Sequence, residues 1–143
     1  MKKYKIGYTS GVYDMFHIGH LNVLNNAKKY CEYLIVGVST DELVQEYKGK
    51  TPIIPYEERK AIVENIKCVD KVIPQKDMDK LKVLLEHNCD SIFVGDDWKG
   101  TEKWNNFEKQ FAEYGIKVTY LPYTKGTSST KLREVLDGFL QRK

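Results

Sequence analysis

Two histidines, His17 and His20, are the residues of this sequence whose type and spacing most clearly indicate chemistry. They flank Gly19 in the stretch GVYDMFHIGH, residues 11–20, which follows a short β-like run. Residues three apart on a helix share one face, and the first backbone N–H groups of a helix are unpaired and favour an anion. Two imidazoles there can donate hydrogen bonds to a phosphate group as negative charge develops on it.

A zinc site and packing in the core are two other interpretations of this pair. Zinc takes three or four protein ligands in most sites. The third histidine, His87, falls in a different predicted helix, and Cys31, Cys68 and Cys89 form no Cys-x-x-Cys pair. Core packing is disfavoured because the pair follows a strand at the edge of the sheet where ligands bind. The phosphate interpretation is therefore favoured.

A run of hydroxyl residues near the end of the chain is a second candidate phosphate site. Gly126 is followed by Thr127, Ser128, Ser129 and Thr130, which lead into a helical pattern. Serine and threonine are good helix N-caps, so the run could serve capping alone. It could also form a phosphate cradle of hydroxyl and N–H groups. The two roles are compatible, and the run does not match the P-loop pattern.

Two further polar stretches follow predicted strands. Lys48 and Lys50 surround Gly49, and such a pair is either a solvated loop or a clamp that binds phosphates as point charges. Asp96 and Asp97 follow a buried apolar run. They could form a turn, or contact a hydroxyl, a base or a metal.

The elements that must position these residues alternate between strand and helix along the whole chain. This alternation predicts one Rossmann-like α/β domain over residues 1–143, with a five-stranded parallel sheet and helices on both faces. The predicted strands cover residues 5–9, 33–39, 71–74, 91–95 and 116–122. Such sheets bind ligands at the carboxyl ends of their strands, so the stretches described above are expected to meet there.

Apolar residues at helical spacing predict which helix faces pack against the sheet. The predicted inward residues are Leu21, Leu24, Ala27 and Cys31 in the first helix, Ala61, Ile62 and Ile66 in a later one, and Leu81, Leu84 and Leu85 in the next.

Composition limits the functional classes. The chain has 143 residues, 41% of them hydrophobic and 30% charged, with a net charge of +3, which is typical of a globular protein. The cations are dispersed, which argues against a nucleic-acid binder. No apolar run approaches the ~20 residues of a membrane span. The first residues, MKKYKIGYTS, lack an apolar signal core, and the cysteines are unclustered, so we expect a reducing cytoplasmic location.

Five stretches together resemble the HxGH nucleotidyltransferase superfamily. GVYDMFHIGH resembles its signature, and the order of STDELVQEYKGK, EERKAIVENIKCVDKVIP, VGDDW and TKGTSSTK is similar to that of the small cytidylyltransferases. The similarity covers nearly the whole chain and is strongest to the glycerol-phosphate branch, with the choline- and ethanolamine-phosphate branches as near relatives. Adenylyltransferases share HxGH alone, whereas its combination with the Ser/Thr-rich last motif is specific.

The resemblance implies a homodimeric enzyme that joins CTP to a small alcohol phosphate, for which glycerol 3-phosphate is favoured. It would release pyrophosphate, use Mg²⁺ held through the triphosphate, and make a CDP-alcohol for an envelope or capsule polymer. Neither nucleic acid nor membrane insertion is implied. The alternatives are an ethanolamine-, choline- or other polyol-phosphate enzyme, an adenylyltransferase, and a nucleotide-binding module without turnover.

Site residues follow from the resemblance by position. His17 and His20 would stabilise the α-phosphate, and Lys48 and Lys67 would also be catalytic. The nucleotide would be bound by both histidines together with Val12, Tyr13, Asp14, Lys50, Asp97, Thr124, Gly126, Thr127, Ser128, Ser129 and Thr130. The acceptor would contact Lys48, Lys80 and Tyr123. Lys67 and Tyr123 stand where the family has arginine, and Val12 where threonine is common.

Overall fold

The sheet has the predicted parallel architecture. The structure is a computed structural model that describes residues 2–122 and 128–141, without the side chains of the last two. In that part of the chain the strands are β1 (Tyr4–Gly11), β2 (Cys31–Ser39), β3 (Lys71–Gln75), β4 (Ser91–Gly95) and β5 (Lys117–Leu121). They form one sheet in the order β3-β2-β1-β4-β5, and all neighbours are parallel. The predicted fold class is confirmed.

Helices cover both faces of this sheet. They are α1 (Ile18–Lys28), α2 (Asp41–Lys48), α3 (Tyr56–Glu64), α4 (Lys80–Glu86), α5 (Glu102–Ala112) and α6 (Ser129–Gln141). One core cluster joins α1 and α3 to the sheet through Ala27 and Val63. A second joins α4 and α5 to the other face through Leu84 and Phe111. No helix among the described residues is long and apolar enough to cross a membrane.

Two predicted helix faces are wrong in part. In α3, Ile62 is 45% exposed and Ala61 is also exposed, while Arg59 and Val63 are buried. The inward stripe therefore includes a charged residue, which a search for apolar spacing passes over. In α4, Leu84 is buried but Leu85 is 45% exposed, because a helix of seven residues turns only one narrow face to the sheet.

The strand order reverses beside β1, and this places the candidate site. The chain runs from β1 outward to β2 and β3, then returns to β4 on the other side of β1. The loops after β1 and β4 consequently leave the sheet toward opposite faces and open a crevice at the carboxyl ends of the strands. The strands β1 and β2 also start earlier than predicted, at Tyr4 and Cys31. The placement of Cys31 on the first helix is therefore wrong: α1 ends at Lys28, and Cys31 is the first residue of β2.

Candidate active site

A cleft of about 850 Å³ lies at the carboxyl ends of the strands. Its lining comes from the segments that follow four of the strands and from the start of α6, as the sequence predicted. The lining residues used below are Ser10, Val12, Tyr13, Asp14, His20, Lys48, Lys50, Lys80, Ser129, Thr130 and Arg133.

The histidine turn, residues 13–20, is built by hydrogen bonds within its own last four residues. His17 is the N-cap of α1, and its Nδ1 accepts the N–H of Gly19 at 3.0 Å. His20 Nδ1 accepts the N–H of His17 at 3.1 Å. This reciprocal capping box satisfies two N–H groups that a helix start otherwise leaves unpaired. It also fixes the orientation of both imidazoles.

The surroundings of both imidazoles favour the neutral form. Burial, followed by the neighbouring His17, lowers the pKa of His20 to about 4, and Asp14 opposes this only in part. Burial also lowers the pKa of His17. In a neutral imidazole whose Nδ1 accepts a hydrogen bond, the proton is on Nε2. Each ring therefore carries its donor on Nε2, and the two ring centroids are 4.0 Å apart.

Aromatic packing and unusual backbone angles support the same turn. Tyr13 and Phe16 contact the His20 ring at centroid distances of 5.4 and 5.2 Å. Tyr13 and Met15 have φ of 55° and 49°, the left-handed region that non-glycine residues rarely adopt. Such strain persists where the surrounding structure fixes the backbone. Here the residue between them, Asp14, makes the fixing contacts.

Asp14 joins three parts of the site. Its carboxylate accepts the N–H groups of Ile53 and Ile54, each at 2.9 Å, and lies 3.9 Å from the Arg133 guanidinium. Its backbone carbonyl accepts a hydrogen bond from the Ser129 hydroxyl. Asp14 therefore holds the loop after α2 and the start of α6 against the histidine turn.

The buried Arg59 is a residue that sequence reasoning missed. It is 1% exposed and donates to the carbonyls of Val12 and Ser39 at 2.7 Å each. It also donates to the carbonyl of Ile54 at 2.8 Å and pairs with Asp41 at 2.6 Å. One guanidinium thus fastens the ends of β1 and β2 to the loop before α3. The sequence signal was an arginine on the inward stripe of a predicted helix.

The lysine loop, residues 48–55, begins where α2 ends. Lys48 is the last residue of that helix, and Gly49 caps it with φ of 67°, a conformation that glycine adopts without strain. Lys48 and Lys50 are exposed and line the cleft. The structure therefore brings both predicted lysines to the site.

Lys80 lines the cleft from α4, on another side. Its Nζ donates to the Ser10 hydroxyl at 3.1 Å. Burial, with a smaller effect of the nearby Lys103 charge, lowers the pKa of Lys80 to about 8. The ammonium group is consequently mostly charged at neutral pH, but it titrates within an accessible range.

The described hydroxyl residues divide their roles. Ser128 Oγ accepts the N–H of Lys131 at 3.0 Å, which is helix capping. Ser129 donates to the Asp14 carbonyl, and Thr130 lines the cleft. The remaining predicted residues of this motif, Tyr123, Thr124, Gly126 and Thr127, lie outside the described residues.

Lys67 is not where it was expected. It is exposed and lies between α3 and β3, at the amino end of that strand. Because α3 runs back across the sheet, its far end reaches the edge opposite the cleft, so Lys67 does not line the cleft of this chain. Asp97 is exposed, and its side chain turns back over Gly95 beside the cleft. Val12 lines the cleft, and its carbonyl accepts a hydrogen bond from Arg59.

Arg133 is the second residue that sequence reasoning missed. It lines the cleft one helical turn after Ser129, and positions four apart on a helix share a face. That spacing was the available signal. No group of three or more His, Cys, Asp or Glu that could hold a metal occurs among residues 2–122 and 128–141.

The cleft lies at the switch point of a parallel sheet, with imidazoles at the start of a helix and lysines around them. Together these features define a site for the transfer of a group from one phosphate to another. Comparison with known proteins agrees. The model of the family described as cytidylyltransferase-like matches residues 8–135. The chain belongs to this family of nucleotidyltransferases, and the family predicted from the sequence is confirmed.

Individual relatives cover almost the same span. The chain is 40% identical over 131 residues to the glycerol-3-phosphate cytidylyltransferase of Bacillus subtilis (strain 168), covering 91% of this chain and 95% of that protein. It is 39% identical to that of Staphylococcus aureus (strain NCTC 8325 / PS 47), covering 91% and 93%. A lipopolysaccharide core biosynthesis protein from Thermoplasma volcanium GSS1 superposes with a TM-score of 0.71 at 29% identity, over 87% of this chain and 99% of that one.

Proposed function

We propose that this protein transfers the cytidylyl group of CTP to glycerol 3-phosphate, forming CDP-glycerol and pyrophosphate. The observation that carries the proposal is the histidine turn, which places the imidazole of His20 in a cleft that lysines line from two sides and holds the imidazole of His17 beside it, outside the cleft lining. The relatives that span almost the whole chain carry the name of this activity.

The reaction needs little covalent help from the protein. A phosphate monoester has a second pKa of about 6, so the attacking oxygen of the acceptor is already ionised at neutral pH. It forms a bond to the α-phosphorus of CTP as the bond from that phosphorus to the bridging oxygen breaks. The electron pair leaves with pyrophosphate. Catalysis then consists of positioning and of stabilising charge on the phosphoryl oxygens.

The imidazoles suit the second task. With Nδ1 of His17 and of His20 accepting backbone N–H groups, each Nε2–H is the donor for an oxygen of the α-phosphate. Neutral donors held in place need no reorganisation as the transition state forms. The lowered pKa of both rings keeps this arrangement intact across the neutral range.

The lysines divide between the substrates in this proposal. Lys48 and Lys80, from the lysine loop and from α4, bind the acceptor phosphate. Lys50 and Thr130 bind CTP phosphates beside the start of α6. Lys67 and Asp97 lie outside the cleft lining. Their predicted roles in the family site are tested by substituting each with alanine and measuring pyrophosphate release.

A divalent cation fits this site only as part of the nucleotide. The cleft lining carries the carboxylates of Asp14, Glu134 and Asp137, but no group of three or more possible metal ligands occurs among the described residues, and the Asp14 oxygens already accept backbone N–H groups. Mg²⁺ commonly binds through substrate phosphates and water. We therefore propose that Mg²⁺ is held by the triphosphate, where it neutralises phosphate charge.

We also propose a homodimer in the cytoplasm. Cys31, Cys68 and Cys89 are all free thiols, which suits a reducing compartment. Sedimentation analysis of the purified chain tests the dimer. CDP-glycerol is an activated donor, and we propose that it supplies a polymer of the cell envelope or capsule.

The deciding experiment is a panel of substrates with pyrophosphate release as the readout. CTP and ATP are each combined with glycerol 3-phosphate, other polyol phosphates, phosphocholine and phosphoethanolamine. We expect turnover with CTP and glycerol 3-phosphate, and little with ATP. Equal turnover with ATP would contradict the cytidylyl assignment, and turnover of amino-alcohol phosphates alone would contradict the acceptor.

A further inference from the structure

Gln75 is a buried polar residue at the end of β3 to which the proposed reaction gives no role. Its side chain is 2% exposed and lines the cleft. Its Oε1 accepts a hydrogen bond from the Tyr8 hydroxyl, and its Nε2 donates to the carbonyl of Asp77 at 2.6 Å. The amide therefore joins β1, the central strand, to the turn that follows β3.

Tyr8 reaches Gln75 across β2. It is fully buried in a cluster of mainly apolar residues, and its hydroxyl lies over Gly37, where an added Cβ would come within 1.9 Å of it. Burial raises the pKa of Tyr8 well above its ordinary range, so the hydroxyl keeps its proton and acts as the donor. This leaves Nε2 of Gln75 to donate to the carbonyl of Asp77.

The turn that Gln75 holds, residues 76–79, leads directly to Lys80. The carboxylate of Asp77 accepts the N–H of Asp79 at 2.9 Å. Asp79 is in turn the N-cap of α4, and Lys80 is the first residue of that helix. All four residues of the turn are exposed, so hydrogen bonds, more than burial, fix its position.

Lys80 depends on this turn for its place in the cleft. Its ammonium donates to the hydroxyl of Ser10 at 3.1 Å, and among the described residues it has no carboxylate within ion-pair distance. A lysine is a point charge on a flexible stem, so the backbone that carries it decides which phosphate it can reach.

Packing alone does not require the polar pair. Phenylalanine and methionine would fill nearly the same volume as Tyr8 and Gln75, and they would leave no buried polar group to satisfy. The pair gains its value from what it binds, which is the backbone of Asp77, three residues before Lys80.

We propose that Gln75 is a positioning residue for the acceptor: together with Tyr8, it holds the turn before α4 so that Lys80 meets the acceptor phosphate. The inference rests on the function proposed above, in which Lys80 binds that phosphate. A binding group that its support leaves about 1 Å out of place loses much of its effect.

The test is a double-mutant cycle between Gln75 and Lys80. Gln75→Met removes both hydrogen bonds at nearly constant volume, Lys80→Ala removes the ammonium, and a third variant combines them. Tyr8→Phe removes only the hydroxyl. The matched control is Ser91→Ala, which removes a buried hydroxyl bound to the Lys117 carbonyl at the amino end of β4, away from the cleft.

Three properties are measured for each variant: KM for both substrates, the dissociation constant of inorganic phosphate by calorimetry, and the melting temperature. We expect KM for glycerol 3-phosphate to rise about tenfold in Lys80→Ala, the loss of one charge-assisted contact. It should rise about fivefold in Gln75→Met and about threefold in Tyr8→Phe, because the ammonium remains but is displaced.

The combined variant carries the decision. Adding Gln75→Met to Lys80→Ala should raise KM for glycerol 3-phosphate by less than about twofold further, because Gln75 acts through Lys80. KM for CTP should change by less than about twofold in every variant. Ser91→Ala should lower the melting temperature and leave both KM values unchanged.

Independent effects in the double variant, with the two rises multiplied, would overturn the proposal. So would an unchanged KM in Lys80→Ala, or equal rises for both substrates in Gln75→Met. If Gln75→Met does not fold, the same cycle with Tyr8→Phe decides. Lys80-dependent phosphate binding that is lost in Gln75→Met, in a protein that does not turn over CTP, would support the proposal and contradict the proposed function alone.

Discussion

The histidine turn and the lysine loop both line one cleft, yet they are held in different ways. The contacts that orient His17 and His20 join residues two and three positions apart. The lysine loop has a local contact from Arg59, five positions from Ile54, but it is also held by Asp14, 39 and 40 positions away, and by Arg133, 82 positions away. One region is built by local hydrogen bonds, and the other requires the folded sheet.

The difference separates chemistry from binding. The imidazoles need a fixed orientation and a fixed tautomer, which a capping box provides at short range. The lysines act as point charges on flexible stems, and only the backbone that carries them needs to be placed. Damage to the turn should therefore reduce the rate, whereas damage to the loop should reduce stability and affinity.

The largest effect should come from the histidine turn. His17→Ala removes both the N-cap acceptor and the Nε2 donor, and His17→Asn keeps an oxygen that can accept the N–H of Gly19. We expect kcat to fall about a hundredfold in both, since loss of one donor aimed at developing charge costs roughly 3 kcal/mol. Steady-state kinetics and thermal melting measure the two properties separately.

The two variants should differ only in stability. His17→Ala should lose about 1 kcal/mol of unfolding free energy with its cap, and His17→Asn should lose less. If kcat recovered in His17→Asn along with the melting temperature, the imidazole would be structural. His20→Ala should also lose rate without unfolding. Zinc-dependent recovery after chelation would instead favour the metal interpretation.

Removing Asp14 should break the loop and leave the capping box intact. Asp14→Ala deprives the N–H groups of Ile53 and Ile54 of their acceptor, and an unsatisfied part-buried donor costs about 1–3 kcal/mol. We expect a loss of about 2 kcal/mol in unfolding free energy, with KM raised for both substrates. Chemical denaturation measures the first effect.

Asp14→Asn provides the graded control, because its amide keeps one acceptor oxygen. Its loss of stability should lie between that of wild type and that of Asp14→Ala. A fully stable Asp14→Ala with a CTP-specific defect would show that Asp14 contacts the nucleotide directly and that its bonds to the loop are secondary.

A smaller effect is expected from Lys48. Lys48→Ala should raise KM for glycerol 3-phosphate by about tenfold, with a smaller change for CTP, because it removes one charge-assisted contact from an exposed position. The melting temperature should be unchanged. Lys50→Ala is the matched variant on the same loop, and its KM change should be larger for CTP. The reverse pattern would exchange the two assignments.

The smallest effect concerns pH. Lys80 has its pKa lowered to about 8, chiefly by burial, and it binds phosphate only when protonated. Its charged fraction, and hence affinity for the acceptor, should fall roughly fourfold between pH 7 and 8.5. KM for glycerol 3-phosphate measured across this range tests the expectation. Lys80→Arg, which stays charged, should remove this pH dependence of KM. If the pH dependence persisted in that variant, it would come from another titrating group.

Sequence reasoning recovered what short-range patterns encode. Alternating apolar runs predicted the parallel sheet, and SIFVG was placed at its observed bounds, residues 91–95. Parallel strands have their carboxyl ends at the same edge of the sheet. The meeting of His20, Lys50, Lys80 and Thr130 in one cleft could therefore be expected. Their residue types, with the family resemblance, indicated phosphate chemistry.

Only the tertiary structure decided the contacts between distant segments. Nothing in the spacing of the sequence shows that Asp14 would hold the lysine loop, that Arg59 would be buried beneath it, or that Arg133 would reach Thr51. Lys67 lies outside the cleft lining of this chain, because α3 runs back across the sheet to the opposite edge. Local hydrogen bonds follow from residues that are close together in the sequence, whereas long-range ones depend on which surfaces pack together.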